Sequence, residues 1–500
     1  MKRSEQTKWA ELLHIQVDRA IELPVARQIY LQLRQSIVDR TLPSGSRIPS
    51  SRQLSTRLQV SRTSVVAAYD ALLSEGYIEG RQGSGTFIAT EWPGLNHTGG
   101  PGEPASEGTS LRRLSDAGQR FQEALQDVAP LVDRPFSPGR SAVDLPTIEA
   151  LRQITVRNAR SVSPDVLGYG DPFGRESLRQ IVTEYLRAFR SVVCTAEQVV
   201  ITSGAQQAID LSIRVLLNPG DPVWLEEPGY QATQQALRAA HAITVPVPVD
   251  DNGLVVDVGI EKEPAPRAIF VTPSHQYPTG AVMSIDRRYD LLHAAHRAGA
   301  WIIEDDYDSE FRYWGHPKPS LQGLDQSARV IYVGTLSKVL FPGIRIGFMV
   351  VPADLVPAYR GARYLTDRGP PVTYQRVLEE FMREGYFTSH IRRMRQRYRS
   401  ILEELVPCLR DALGPLATVT MPECGMRFVA YLADGIDDQE VAREALRRGV
   451  VVRPISNLYL DGGGRSGLDI GFTGHDSKLM QIAAVRLGEA LRQVAASSAA

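Results

Sequence analysis

Cysteine is scarce in this chain. Cys194, Cys408 and Cys424 are the only three in 500 residues, and they stand far apart. An odd number without metal-ligand spacing argues against a disulfide framework and against a zinc-type cluster, so no metal site is expected. The thiols are expected to be reduced, in a cytoplasmic protein. Long apolar runs are missing as well. Nothing approaches the ~18 residues of an apolar membrane span, so no membrane partner is expected. The first residues, Met1 to Lys8, have no apolar segment behind them and do not read as a signal peptide. Excess charge of either sign is also absent, with a net charge of −1.

That balance conceals an asymmetry. Residues 1–90 hold 12 Lys or Arg against 8 Asp or Glu. No acidic residue occurs between Asp39 and Asp70, while Arg40, Arg47, Arg52, Arg57 and Arg62 recur there. A basic zone on a near-neutral protein suits a phosphate backbone; a solvated charged face is the plain alternative. With 43% hydrophobic and 23% charged residues, the chain is of ordinary globular composition. Its length suggests two to four domains at roughly 150 residues each.

The basic zone has a helical frame. Ile29, Leu33 and Ile37 are spaced by four and predict a helix over about 24–39. After the turn at Pro43 and Gly45, Ser50 and Gln53 fit a capping box for a short second helix. Val60-Ser61 opens a third, in which Val65, Ala68, Leu72 and Leu73 share a face and which Gly76 ends. Tyr77-Ile78 and Thr86 to Ile88 predict two strands around a glycine-rich tip, residues 80–85. The first turn of the third helix, Ser61-Arg62-Thr63-Ser64, is wholly polar. A helix whose N-terminal turn offers only hydrogen-bonding side chains is laid out to enter a major groove. Arg62 is the candidate for a base edge, since Arg to guanine is the commonest specific contact. Ser50, Arg52, Ser61 and Thr63 are candidates for phosphates beside two helix N-termini. Arg47, Ser51 and Ser64 complete the candidate DNA surface, and Arg81 and Gln82 at the tip are placed for the minor groove or backbone.

The runs Leu-Pro-Ser-Gly-Ser-Arg-Ile-Pro-Ser-Ser-Arg-Gln-Leu-Ser, Val-Ser-Arg-Thr-Ser-Val, Leu-Ser-Glu-Gly-Tyr-Ile and Gly-Ser-Gly-Thr-Phe-Ile follow in order over roughly 65 residues. They closely resemble the GntR-type winged helix-turn-helix. The resemblance implies a double-stranded DNA operator as partner. Residues 20–90 are therefore read as a DNA-binding domain. Residues 91–110 contain eight Gly or Pro in twenty, and 91–125 is read as a flexible linker.

From 126 to 500, short apolar strands alternate with helical stretches, as at 198–202, 222–225, 268–272, 300–303 and 329–334. This pattern predicts an α/β fold with a mostly parallel sheet. Open α/β sheets bind ligands at the C-terminal ends of their strands, and the chemistry-bearing residues stand there. Lys338 follows the strand 329–334. Asp305 stands at a strand end, with Tyr307 two residues on. Ser203-Gly204-Ala205-Gln206 joins a strand to a helix and offers backbone N–H groups to a phosphate. Thr335, Ser337 and Arg345 are further phosphate candidates, and Tyr230 is placed to stack on a ring. Singly, these read as a turn glycine, a capping aspartate and a solvated lysine. Together they supply what pyridoxal 5'-phosphate requires. The parts are a Schiff-base lysine, an anion for the pyridine nitrogen, a donor for the phenolic oxygen, an aromatic plate and a phosphate cradle.

The ordered set resembles the fold-type I aminotransferase body. With the winged helix in front, and with Glu-Asp-Asp-Tyr-Asp-Ser-Glu-Phe-Arg-Tyr and Thr-Pro-Ser-His-Gln-Tyr-Pro-Thr-Gly, it resembles the MocR/GabR subfamily of GntR regulators. The resemblance implies a homodimeric regulator, not an enzyme, that senses a small amine or amino acid, or the cofactor itself to control its synthesis. Residual half-transamination is compatible with it. A working aminotransferase with a vestigial DNA-binding domain is the alternative.

Two departures bear on the choice. Aminotransferases place an Asn before Pro-Thr-Gly; here Tyr277 precedes Pro278. His275 just upstream is a further candidate beside the cofactor, with a structural histidine as the alternative. Many relatives place a carboxylate-gripping Arg where Leu-Asp469-Ile-Gly stands. Asp469 would repel a carboxylate, so the expected effector lacks one there, carries a positive group, or is the cofactor. Arg427 and Arg453 are the candidates for a displaced anion site, with solvated or structural roles as alternatives.

Overall fold

A computed structural model describes residues 15–81, 83–91, 113–126, 133–162, 164–460, 462 and 464–498. The chain divides into two compact units, Met1–Arg113 and Leu114–Ala500.

In the first unit, α1 (Val25–Val38), α2 (Ser51–Leu58) and α3 (Arg62–Ser74) pack with β1 (Arg47–Ile48), β2 (Ile78–Arg81) and β3 (Gly85–Ile88). The strands form an antiparallel sheet in the order β1-β3-β2. The predicted stripe of α1 is buried: Ile29, Leu33 and Ile37 meet Leu54, Val65, Leu72 and Ile88. Ser50 caps α2 in the expected box, accepting from the Gln53 N–H while Gln53 Oε1 accepts from the Ser50 N–H at 3.0 Å. The strand β1 is absent from the sequence expectation. At two residues it is too short for any alternation to show.

The second unit opens with α4 (Asp116–Gln126). The reading of 91–125 as a flexible linker did not foresee this helix. The last ten residues of that stretch are helical, and Arg120 donates to the carbonyl of Arg238. Glycine and proline crowd only the first twenty residues, so the composition did not extend to the part that folds.

The main sheet has eight strands: β4 (Val199–Thr202), β5 (Pro222–Glu227), β6 (Ile243–Asp250), β7 (Gly253–Leu254), β8 (Ala268–Val271), β9 (Trp301–Asp306), β10 (Val330–Thr335) and β11 (Gly347–Val350). Their order is β4-β11-β10-β9-β8-β5-β6-β7. Pairings among β5, β6, β8, β9 and β10 are parallel, while β11 runs antiparallel to β10 and β4. Every residue of β4, β8, β10 and β11 is buried, as expected for a sheet covered on both faces. A second sheet, antiparallel, runs β12 (Ala417–Val419), β13 (Arg427–Leu432), β15 (Gly467–Gly471), β14 (Arg453–Pro454). It packs with the helices Tyr386–Leu413 and Ser477–Ser498, whose Leu402, Leu405, Leu409, Leu487 and Leu491 are buried in one cluster. Among the described residues, no helix is long and apolar enough to cross a membrane.

Leu33→Ala is expected to destabilise the first unit by about 2–5 kcal/mol, because a fully buried side chain leaves a cavity. A thermal melt of the full chain should show an earlier first transition, with any cofactor absorbance of the second unit unmoved.

Candidate functional site

Strand alternation builds the centre of the second unit. Glu304, Asp305 and Asp306 end β9, and successive side chains point to opposite faces. Asp306 accepts from Arg190 Nε at 2.7 Å and Tyr332 Oη at 2.8 Å. Glu304 accepts from the backbone N–H groups of Leu321 and Gln322 at 2.8 and 2.9 Å. Both oxygens of Glu304 and the Oδ2 of Asp306 are thereby engaged, while Asp306 Oδ1 is buried without a partner. Asp305, on the other face, keeps a buried Oδ1 with no partner. It lines a small cavity with Tyr230, Thr233, Thr272, Ile209 and Phe270. Burial pushes its carboxyl up to about 7, and Asp306, Glu226 and Asp308 push the same way. A cation at its open oxygen would reverse that shift.

Lys338 lies in the short helix Leu336–Val339 that directly follows β10. Its amine sits close under the loop at Gly139, where an added Cβ would meet Nζ at 2.7 Å. Burial lowers its pKa and Arg453 adds to the effect, against the pull of Asp308 and Asp305. Desolvation therefore favours the neutral, nucleophilic amine.

The strand-to-helix turn after β4 provides the anion site. Gly204 is the N-cap of the helix Ala205–Leu216, and no side chain caps it, so the first-turn N–H groups of Ala205 and Gln206 face outward. Arg345 donates to the Ser203 carbonyl at 2.7 Å, and its guanidinium comes within 3.4 Å of a Cβ position on Gly204. Ser337 Oγ is buried without a partner, while Thr335 Oγ1 accepts from the Ser337 N–H at 3.2 Å. Tyr230, at the end of the turn after β5, meets Tyr277 edge to face at 5.4 Å. An open carboxylate, a desolvated amine, an uncapped helix N-terminus with an arginine, an unpartnered hydroxyl and an aromatic plate fit a phosphorylated pyridine aldehyde.

Other expected residues are placed differently. Tyr307 Oη donates to the His275 carbonyl at 2.9 Å, so this hydroxyl is engaged within the chain. His275 Nδ1 lies 3.0 Å from both oxygens of Asp308, and Asp308 also accepts from the Met426 N–H at 3.0 Å. The ring is clamped against Gly425, where a Cβ would fall 1.9 Å from it. Sequence reasoning missed Asp308, Gly139 and Gly425. Asp308 lay within a quoted motif, but the two glycines gave no local signal.

The largest correction concerns Asp469 and Arg427. Neither is free. β13 and β15 are neighbours, and Arg427 Nε donates to Asp469 Oδ1 at 2.7 Å, with both side chains buried. Asp469 therefore does not present an isolated anion to a positive ligand, and Arg427 does not present an isolated cation to a carboxylate. Burial opposes the Arg427 charge, but Asp469, Tyr277 and Tyr307 together more than offset it and hold the pKa above its ordinary value. Arg427 also stacks 4.0 Å over the Tyr277 ring. Arg453, half-buried, pairs in register with Asp469 across β14 and β15.

In the first unit, Ser51 Oγ accepts from Arg62 Nε at 3.4 Å, which brings the starts of α2 and α3 together. Arg47, Arg52, Arg62 and Thr63 are exposed, and Ser64 is half-buried. Ser50 and Ser61 serve as N-caps, with Ser61 Oγ accepting from the Ser64 N–H at 3.1 Å. Their expected phosphate contacts therefore compete with capping. Arg81 is held by Glu79 at 2.7 Å and lies 4.6 Å over Phe87. Gln82 lies outside the described residues.

Comparison with known proteins follows this division. Residues 140–487 match the family of aminotransferase class I and II, and residues 25–88 match the bacterial regulatory proteins of the gntR family. The chain is 39% identical over 470 residues to the probable rhizopine catabolism regulatory protein MocR of Rhizobium meliloti, covering 93% of each chain. The chain belongs to the MocR subfamily of GntR-type proteins. This MocR-type chain is also 30% identical to the pyridoxine biosynthesis transcriptional regulator PdxR of Corynebacterium glutamicum, covering 93% of this chain and 96% of the relative. Its second unit resembles the α-aminoadipate aminotransferase LysN of Thermus thermophilus, solved with N-(5'-phosphopyridoxyl)-L-leucine. There the TM-score is 0.70 and the identity 28%, over 77% of this chain and 98% of that one.

In the MocR-type chain the raised Asp305 pKa has a consequence. Between roughly pH 4 and pH 7 the folded, cofactor-free protein holds a proton that the unfolded chain has released. Its stability should fall as pH rises through that window. Asp305→Asn is expected to raise the melting temperature of cofactor-free protein at about pH 8, with the gap closing toward pH 5. Equal melting temperatures at both pH values would contradict the burial of that carboxyl.

Proposed function

We propose that this chain is a pyridoxal phosphate-dependent transcriptional regulator. Its winged helix binds an operator, and its aminotransferase-like unit senses a small amine, an amino acid or the cofactor itself. The observation that carries the reading is the coexistence of a polar-tipped recognition helix with a desolvated Lys338 and an open Asp305 at the strand ends of the second unit. Relatives similar along nearly the whole chain are named as regulators.

Lys338 holds the cofactor, Asp305 faces its ring nitrogen, and Tyr230 covers the ring. The Gly204–Gln206 turn, Thr335, Ser337 and Arg345 hold its phosphate. When bound, the cofactor supplies an aldehyde carbon that condenses with primary amines. Tyr307 would donate to the phenolic oxygen by exchanging its bond to the His275 carbonyl, while His275 stays with Asp308 and supports Tyr307. A homodimer would present two recognition helices to two half-sites, as winged-helix dimers do. Such a regulator operates in the cytoplasm. Control of cofactor supply is a narrower form of this reading, supported by the likeness to PdxR. The runner-up is a working aminotransferase; the Arg427–Asp469 pair favours the regulator, because β15 carries Asp469 rather than an arginine and the Arg427 of β13 is engaged by it.

Arg62→Ala is expected to weaken binding to the upstream intergenic DNA by roughly 1–3 kcal/mol. A fluorescence titration checks this, and an unchanged affinity would remove Arg62 from the readout. Lys338→Ala should lose the lysine-linked cofactor absorbance while keeping its far-ultraviolet circular dichroism. Steady turnover with a keto-acid acceptor would favour the enzyme.

A further inference from the structure

The Arg427–Asp469 pair is closed on one side only. Arg427 uses Nε on Asp469 Oδ1 and Nη2 on the Pro278 carbonyl at 3.2 Å. Arg427 Nη1 and Asp469 Oδ2 are both buried and have no partner. Asp469 is wholly inaccessible and the Arg427 side chain is 6% exposed. Unmatched donors and acceptors at such depth are costly and rare in folded proteins. Here one of each belongs to the same pair.

The pair stands behind the wall of the cofactor cavity, with Tyr277 and Tyr230 between them. Arg427 lies over Tyr277, Tyr277 meets Tyr230, and Tyr230 lines the cavity with Asp305. The charge of Arg427 also bears on Lys338 and Tyr307. A ligand joined to the cofactor through its amine would start at Lys338, within the field of the Arg427 charge. The two charges cancel, so the pair offers no net attraction to an ion. A carboxylate there would face Asp469, and an ammonium would face Arg427; either would bury an uncompensated charge. A hydroxyl both donates and accepts, and it can satisfy both orphan atoms.

We infer that the effector is a primary amine whose other end is a neutral hydroxyl, received jointly by Arg427 Nη1 and Asp469 Oδ2. This rests on the amine-sensing form of the function proposed above.

The test uses full-length, cofactor-loaded protein and three amines of matched length: 3-amino-1-propanol, β-alanine and propylamine. The readout is the midpoint of the cofactor absorbance change. The expected result is that 3-amino-1-propanol binds at least about tenfold tighter than either other amine, the size of one hydrogen bond to a charged group. Asp469→Asn should erase that preference and strengthen β-alanine by about tenfold, because Arg427 is then uncompensated. Tighter β-alanine in the unmodified protein would overturn the inference and move the contact to Arg453. Equal binding of propylamine and 3-amino-1-propanol would overturn it too. The comparison on unmodified protein decides the matter even if the variant fails to fold. A spectrum that no amine moves would instead overturn the amine-sensing reading itself, and the hydroxyl assignment would fall with it.

Discussion

A lysine amine held out of water is the constraint on which the rest of the second unit depends. Among the described residues, no carboxylate lies within ion-pair reach of Lys338. Burial and the charge of Arg453 lower the amine's pKa, and Asp308 and Asp305 oppose them, so how the neighbouring carboxylates are engaged sets the balance. The structure engages them through strand alternation and buried pairs. Asp306 is taken by Arg190, Asp308 by His275 and the Met426 amide, and Asp469 by Arg427. Asp305 keeps a free oxygen on the face where the cavity lies, without an ion-pair partner of its own. An open carboxylate and a desolvated amine on the same sheet suit a polar ring, and the uncapped helix at Gly204 suits its anionic end.

These buried pairs are poor sources of stability, because desolvation offsets most of their attraction. Their value is positional. Arg190 also donates to Ser274 Oγ at 2.6 Å, and Arg288 reaches the carbonyls of Pro273 and Pro319 at 2.8 and 3.2 Å. The loop carrying His275 and Tyr277 is thus tied to β9 and to the segment after it. A rigid loop of this kind sets Tyr277 between the cofactor plate, Tyr230, and the Arg427 guanidinium. It also links what binds at the ring to what binds on the second sheet.

Much of this was legible in the residues. Strand positions followed from apolar runs, and the helices of the first unit followed from four-residue spacing and the Ser50–Gln53 box, because those signals are local. Lys338, Asp305, Tyr230 and Gly204 stood at strand ends, where chemistry concentrates in such sheets. What escaped was non-local. The partnership of Arg427 with Asp469 depends on β13 and β15 being neighbours, which no spacing reveals. The clamping of His275 by Gly425 joins residues 150 positions apart. The two-residue strand β1 exists only because β3 is there to pair with it. The helix at Asp116–Gln126 was hidden by the glycine-rich stretch before it.

The central claim is that cofactor chemistry in one unit changes DNA binding by the other. Coupling of this kind requires the ligand to favour one DNA-binding state over another, and its size is a ratio of affinities. The most direct measurement titrates the upstream intergenic DNA with cofactor-free and cofactor-loaded protein, with and without a bound amine, while the cofactor absorbance is recorded. The account predicts that operator affinity changes by about five-fold or more when the absorbance reports a change at Lys338. An affinity that stays constant across all three states, while the absorbance confirms that each has formed, would contradict it.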